Sequence, residues 1–264
     1  MNARARIWSG NLNSNIAADA VKQHFEATAT AYYRDHSGEV EGASELREAY
    51  LAALEPHLRG EPVLDVACGP GNFAQHALAQ QGGLVVAVDF SRSMINEARR
   101  RYPGVSFVIA DARRLPFRAG AFGVSYSFRS LQHVPGLEQA VAEMRRVTRP
   151  SGAVLFDFIN RWNPLGLLRD VASRWGLVYL RALSARRVRA MCRSVDLEIR
   201  GIATIQAFVD SANTKKYFGA RGRRWIGHCL ARLERVLAHR RFCGGIALRR
   251  LVTASVRGEE TTPG

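Results

Sequence analysis

Cysteine is scarce in this chain: four in 264 residues, at Cys68, Cys192, Cys229 and Cys243. No two of them form a C-x-x-C pair, which argues against a cysteine-based zinc site or a redox dithiol and leaves them as free thiols. His24, His57 and His76 lack ligand spacing, so no metal is expected. No apolar run reaches the ~18–20 residues that a membrane span needs. The N-terminal stretch MNARARIWSGNLNSNIAADAV is basic but has no apolar h-region, so the expected location is the cytoplasm. Acidic residues thin out along the chain. Residues 1–150 hold 17 basic and 15 acidic side chains, whereas residues 151–264 hold 21 and 8, giving a net charge of +15. Such asymmetry fits nucleic acid, an anionic membrane surface or acidic substrates. An arginine-rich composition with no partner is the other reading. Basic charge without interleaved aromatics is weak ground for nucleic acid, and no RNA-binding module is recognisable.

What is present is alternation. Residues 16–34 and 43–57 read as helices, the second with a stripe of Ala49, Leu51, Leu54 and Leu58. Strands are expected at 61–67, 83–90, 105–111, 122–128 and 153–159. Helices are expected at 72–81, 91–102 (with Ser91 as N-cap) and 137–148, the last ended by Arg149-Pro150-Ser151-Gly152. Further on, 184–195 and 223–240 read as helices, 197–205 as a sixth strand and 246–257 as a seventh, at an edge. Strand–helix alternation implies right-handed crossovers and a mostly parallel, Rossmann-like α/β sheet with helices on both faces. Ligands of such sheets bind beyond the carboxyl ends of the strands. Segments 160–183 and 206–222 are the expected helical cap over a substrate site. The division is a lid of N-terminal helices over 1–58, a cofactor-binding core over 59–160, and a remainder with cap insertions over 161–264, all in one integrated domain.

The stretch VLDVACGPGNFA at 63–74 ends a strand in a glycine-rich turn. Gly69 and Gly71 allow a tight turn and close approach of backbone to a ligand. The pattern also fits a dinucleotide fingerprint, but Asp65 speaks against pyrophosphate. A carboxylate at that strand end repels a double anion by several kcal/mol at an effective dielectric of ~20. It suits a cofactor with a cationic end, such as S-adenosylmethionine. The next strand ends carry Asp89, placed to accept hydrogen bonds from ribose hydroxyls, and Asp111, placed to accept one from the adenine 6-amino group. Phe90 and Met94 are candidate apolar walls for the adenine, with a plain core role open for Met94.

The segments VLDVACGPGNFA, AVDFSRSM, ADARRLPF, SFRSLQHV and LEQAVAEMRRVTRPSG resemble the class I S-adenosylmethionine-dependent methyltransferases. Within that family they look most like the small-molecule branch that includes the quinone-biosynthesis methyltransferases. The resemblance is specific over residues 60–160 and weaker out to 257. It implies a seven-stranded sheet with a reversed hairpin at its last strand. It also implies Asp65, Gly69 and Gly71 around the methionine end, Asp89 on the ribose, Asp111 and Ala112 framing the adenine, and backbone at Phe128 meeting the α-ammonium. Ala67 stands where the family commonly has the first glycine of the turn. Ser151 replaces the first glycine of the usual Pro-Gly-Gly turn.

Methyl transfer from a sulfonium is an in-line displacement, so the protein mainly positions the nucleophile and excludes water. A base is needed only for a poorly ionised hydroxyl or carbon acid. His133, a few residues past the fourth strand, is the candidate base, with a pocket-wall or loop-ordering role as the alternative. Arg129 is a candidate for an acidic substrate group, or a loop brace. In similar proteins the segment before the core folds over the cofactor. Tyr33, from Tyr32, Tyr33 and His36, is the candidate to close on the methionine carboxylate, or the segment packs on the outer face. The fourth strand is followed by SFRS and not by the Asn/Asp-Pro-Pro-Tyr clamp of exocyclic-amine methyltransferases. Oxygen or carbon methylation of a small, lipophilic or secondary metabolite is therefore expected. The rivals are RNA methylation through the basic half and a relative catalysing a non-methylating reaction such as a cyclisation. Peripheral contact with an anionic membrane is compatible with 164–183.

Overall fold

The computed structural model of the chain describes residues 19–27, 43–163, 180–206 and 248–257. The expected cap, the amphipathic stretch 223–240 and Tyr33 fall wholly or mostly outside these residues.

The short apolar runs become parallel strands, β1 (Val63–Val66), β2 (Val85–Asp89), β3 (Ser106–Ile109) and β4 (Phe122–Ser127). They are buried on both faces in β1, β2 and β4 and partly exposed in β3. β5 (Thr148–Asn160), β6 (Ala182–Leu183), β7 (Leu197–Gln206) and β8 (Arg249–Val256) complete the sheet. Its order is β3-β2-β1-β4-β5-β8-β7, with the two-residue β6 added to the end of β5. β8 runs antiparallel to both β5 and β7, and the other pairings are parallel.

Helix α1 spans 19–27, followed by α2 (Ala43–Leu54), α3 (Asn72–Gln81), α4 (Arg92–Arg101), α5 (Leu137–Val147) and α6 (Ala185–Ser194). Alternate residues of each strand feed two cores. Val63, Val85 and Ala87 pack with Tyr50, Leu54, Ala77 and Ile95 from α2, α3 and α4. Leu64, Val66, Val86 and Val88 pack with Val141 and Met144 of α5 and Val188 and Met191 of α6. Ser91 caps α4 as expected, its hydroxyl accepting from the Met94 amide at 3.2 Å.

Two expectations are corrected. The last strand is not at an edge: β8 lies between β5 and β7, which leaves β7 outermost. Its adjacent Leu251 and Val252 are both almost fully buried, so both of its faces are covered. The fifth strand does not begin after the Arg149-Pro150-Ser151-Gly152 turn but runs through it from Thr148. Ser151, at φ 62, kinks the backbone there, and the pairing with β4 slips between Phe122 and Val124. The extra residues form a bulge instead of ending the strand.

Gly71 heads α3 at φ 84, and a Cβ on it would lie 2.8 Å from the Phe107 ring. Gly71→Ala should therefore lose about 2–4 kcal/mol from strain and overpacking together. Ser151→Gly should gain up to about 1 kcal/mol by relieving a left-handed non-glycine residue. Urea denaturation midpoints measure both, and an unshifted Gly71→Ala midpoint would contradict the packing described.

Candidate active site

Parallel pairing sets the ends of β1, β2 and β3 side by side, Val66 opposite Val88 and Asp89 opposite Ile109. The turns that follow meet around the Asp89 carboxylate. One of its oxygens accepts from the Gly69 amide and the other from the Ser91 amide, each at 2.9 Å. Above lies a cleft of about 650 Å³, counting the space at its mouth. Of the residues singled out in the sequence, Ala67, Gly69, Asp89, Phe90 and Met94 line it, and so do Asp111, Ala112 and His133.

Others stand behind the wall. Asp65 does not line the cleft; it is 2% exposed, in a strand otherwise made of valine and leucine. Gly71 serves the α3 turn and its packing. Phe128 is buried, its ring stacked between Tyr50 at 4.7 Å and Tyr126 at 4.9 Å, while its carbonyl lies 3.0 Å from the Ser130 hydroxyl oxygen. Arg129 does not line the cleft. It sits at φ 61, with its amide donating to Asp157. Tyr33 lies outside the described residues. Ala67 takes φ 56, the left-handed conformation that a glycine would hold without strain.

The cleft also recruits residues that sequence reasoning missed. Val21 and Phe25 of α1 line it, and Phe25 meets the His133 ring edge-on at 5.6 Å. Their spacing of four is the one signal that was available. Glu26 on the same helix accepts from the Arg92 and Ser93 amides at 2.7 and 2.9 Å, which fastens α1 to the N-terminus of α4. Ser130 lines the cleft as well and donates to the Ala67 carbonyl at 2.8 Å. Arg113 grips Asp111 through two nitrogens at 2.7–3.1 Å, and this pairing holds the Asp111 carboxyl below its ordinary range.

Burial dominates the electrostatics of the floor. It pushes the Asp65 carboxyl up to about 8; nearby Asp89 adds to the rise, and the Tyr126 hydroxyl and Ala74 amide oppose it. Burial raises Asp89 to about 6 against the pull of the Ser91 and Gly69 amides. Oδ2 of Asp65 is buried and has no hydrogen-bond partner among the described residues. A buried carboxylate oxygen left unpaired is costly, and a nearby cation relieves that cost. The residues present therefore fit a cofactor with a cationic end. Among the described residues no cluster of metal ligands occurs, and no helix is long and apolar enough to cross a membrane.

Comparison with known proteins agrees with this geometry. A family model described as a methyltransferase domain matches residues 63–152. A demethylmenaquinone methyltransferase of Clavibacter sepedonicus is 32% identical over 213 residues, covering 79% of this chain and 84% of that protein. Another, of Beutenbergia cavernae, is 45% identical over 110 residues, 41% of this chain and only 45% of that protein's length. In fold, the chain is similar to magnesium protoporphyrin IX methyltransferase from Synechocystis PCC 6803, whose structure holds bound SAH. The TM-score is 0.62 at 15% identity, over 91% of this chain and 100% of that one.

The raised carboxyls give the protein without ligand a pH signature. Asp65 is protonated when folded up to about pH 8 but ionises near 3.8 when unfolded. Between these values the unfolded chain binds fewer protons, so stability falls as pH rises, by up to about 1.4 kcal/mol per unit. Asp65→Asn should flatten that fall in thermal melts between pH 4 and 8. A slope equal to wild type would show that Asp65 is ionised in the folded state.

Proposed function

Because this chain belongs to the class I S-adenosylmethionine-dependent methyltransferases, we propose that it methylates the oxygen or carbon of a small, lipophilic or secondary metabolite. The observation that carries this reading is that Asp89, at the end of β2, and Asp111, two residues past β3, line one cleft, with Asp65 buried in the neighbouring strand β1. S-adenosylmethionine, when bound, supplies an electrophilic sulfonium-bound methyl group at this site. Asp65 and Gly69 serve its cationic methionine end, with backbone near Phe128 completing that side. Asp89 receives the ribose on the lone pairs that the Gly69 and Ser91 amides leave unused. Phe90, Met94, Ala112 and Asp111 frame the adenine. Helix α1 covers the cleft with Val21 and Phe25, and Tyr33 follows it in sequence as the residue to close on the methionine carboxylate.

Displacement at a sulfonium releases a neutral thioether, so most of the rate comes from alignment and exclusion of water. His133 lines the cleft and is held edge-on by Phe25. Its ring accepts the acceptor's proton where that group is a hydroxyl or carbon acid. The demethylmenaquinone relatives support a lipophilic acceptor. The basic balance of residues 151–264 supports peripheral contact with an anionic membrane that carries such an acceptor.

Titration calorimetry with S-adenosylhomocysteine should detect binding. Asp65→Asn should weaken it at least roughly tenfold. Because Asp65 must lose its proton to face a cation, affinity should rise with pH, by up to about tenfold per unit, until about pH 8. With methyl-labelled donor and a lipid extract, label should appear in an extracted small molecule, and His133→Ala should lower that rate by about 100-fold for a hydroxyl acceptor. Product formed with the donor left intact would instead favour a cyclisation. Sedimentation with anionic vesicles at low salt should carry the protein down, and neutral vesicles should not.

A further inference from the structure

The β4–α5 segment that walls the cleft is held in an unfavourable conformation by a charge outside the cleft. Arg129, the second residue after β4, stands at φ 61. A side chain there costs about 1–2 kcal/mol relative to an ordinary backbone conformation. What opposes that cost is Asp157 on the neighbouring strand β5: its Oδ1 accepts from the Arg129 amide at 2.5 Å. Asp157 is itself fixed, fully buried, by Arg249 of β8, whose Nη1 meets its Oδ2 at 2.6 Å. The segment downstream is tied together from this point. Gln132 donates its side-chain amide to the Arg129 carbonyl, and the His133 amide donates to the Ser130 carbonyl at 2.9 Å. Ser130 crosses to the Ala67 carbonyl at 2.8 Å, in the glycine-rich turn on the other side of the cleft.

We propose that Asp157, clamped by Arg249, is a positioning residue: it holds the left-handed turn at Arg129 and thereby sets Ser130 and His133 against the Ala67–Gly69 turn. A buried ion pair between β5 and β8 thus shapes a cofactor cleft that neither partner lines. The proposal rests on the reading of that cleft as an S-adenosylmethionine site, and one of its two readouts is independent of that reading.

The first readout is amide hydrogen exchange over residues 129–134 without ligand. Asp157→Asn should speed exchange there, and unchanged exchange overturns the proposal whatever the cleft binds. The second is the affinity for S-adenosylhomocysteine, which Asp157→Asn should lower by about tenfold, the scale of one lost hydrogen bond to a charged group. On that background Arg129→Gly should restore most of the affinity, because glycine holds the left-handed turn unaided, while Arg129→Ala should not. Recovery with both, or with neither, overturns the proposal, since the loss is then not in the backbone conformation. If Asp157→Asn alone fails to fold because Arg249 is left as a buried unpaired charge, the same comparison is run in Asp157→Asn/Arg249→Met, which removes both charges. Wild-type protein that binds no S-adenosylhomocysteine would sink the functional reading, and the exchange result would still decide the role of Asp157.

Discussion

The Asp89 carboxylate is the point on which the site depends. Its two oxygens take the Gly69 amide from the turn after β1 and the Ser91 amide at the head of α4. Backbone amides buried near a cleft need partners, and a single carboxylate serves both turns. Ser91 then caps α4, and Glu26 takes the next two amides of that helix. The glycine-rich turn, the helix and the covering α1 are in this way referred to one side chain. Burial makes that carboxylate more basic than usual, and the two amides keep the rise well short of that at Asp65.

Much of this was legible in the residues. A buried parallel strand is a nearly unbroken apolar run, so an acid inside Val63–Val66 stands out from its surroundings. The helix at 72–81 and the cap at Ser91 follow from local rules and appear as expected. The place of β8 was not legible. The stretch 246–257 reads as an edge strand, and only the fold reveals that Asp157 neutralises Arg249 inside. The bulge in β5 was hidden for a related reason. Pro-Ser-Gly reads as a terminator, but β4 continues to supply pairing partners past it.

Within the site, sequence found the residues next to the strand ends, such as Ala67, Asp89, Phe90 and Asp111, and missed those brought in from elsewhere. Ser130, Val21 and Phe25 are ordinary in composition and matter only through where the chain brings them. Phe128 was expected for its backbone, yet its ring joins Tyr50, Phe73 and Tyr126 in an aromatic stack behind the wall. Left-handed non-glycine residues at Ala67 and Arg129 flank this region. Such strain persists only where the surroundings over-determine it, and it gathers at ligand sites.

The reversed strand β8 also constrains the order in which the molecule can be assembled. Among the described residues β7 pairs only with β8, and β8 follows residues 207–248 in the chain. The pairing of β5 with β8 joins residues as far apart as Ala153 and Ser255, and β8 lies between β5 and β7. That long-range pairing also brings Arg249 to Asp157. A chain that stops before β8 carries Asp65, Asp89 and Asp111 but lacks Arg249, the ion-pair partner of Asp157.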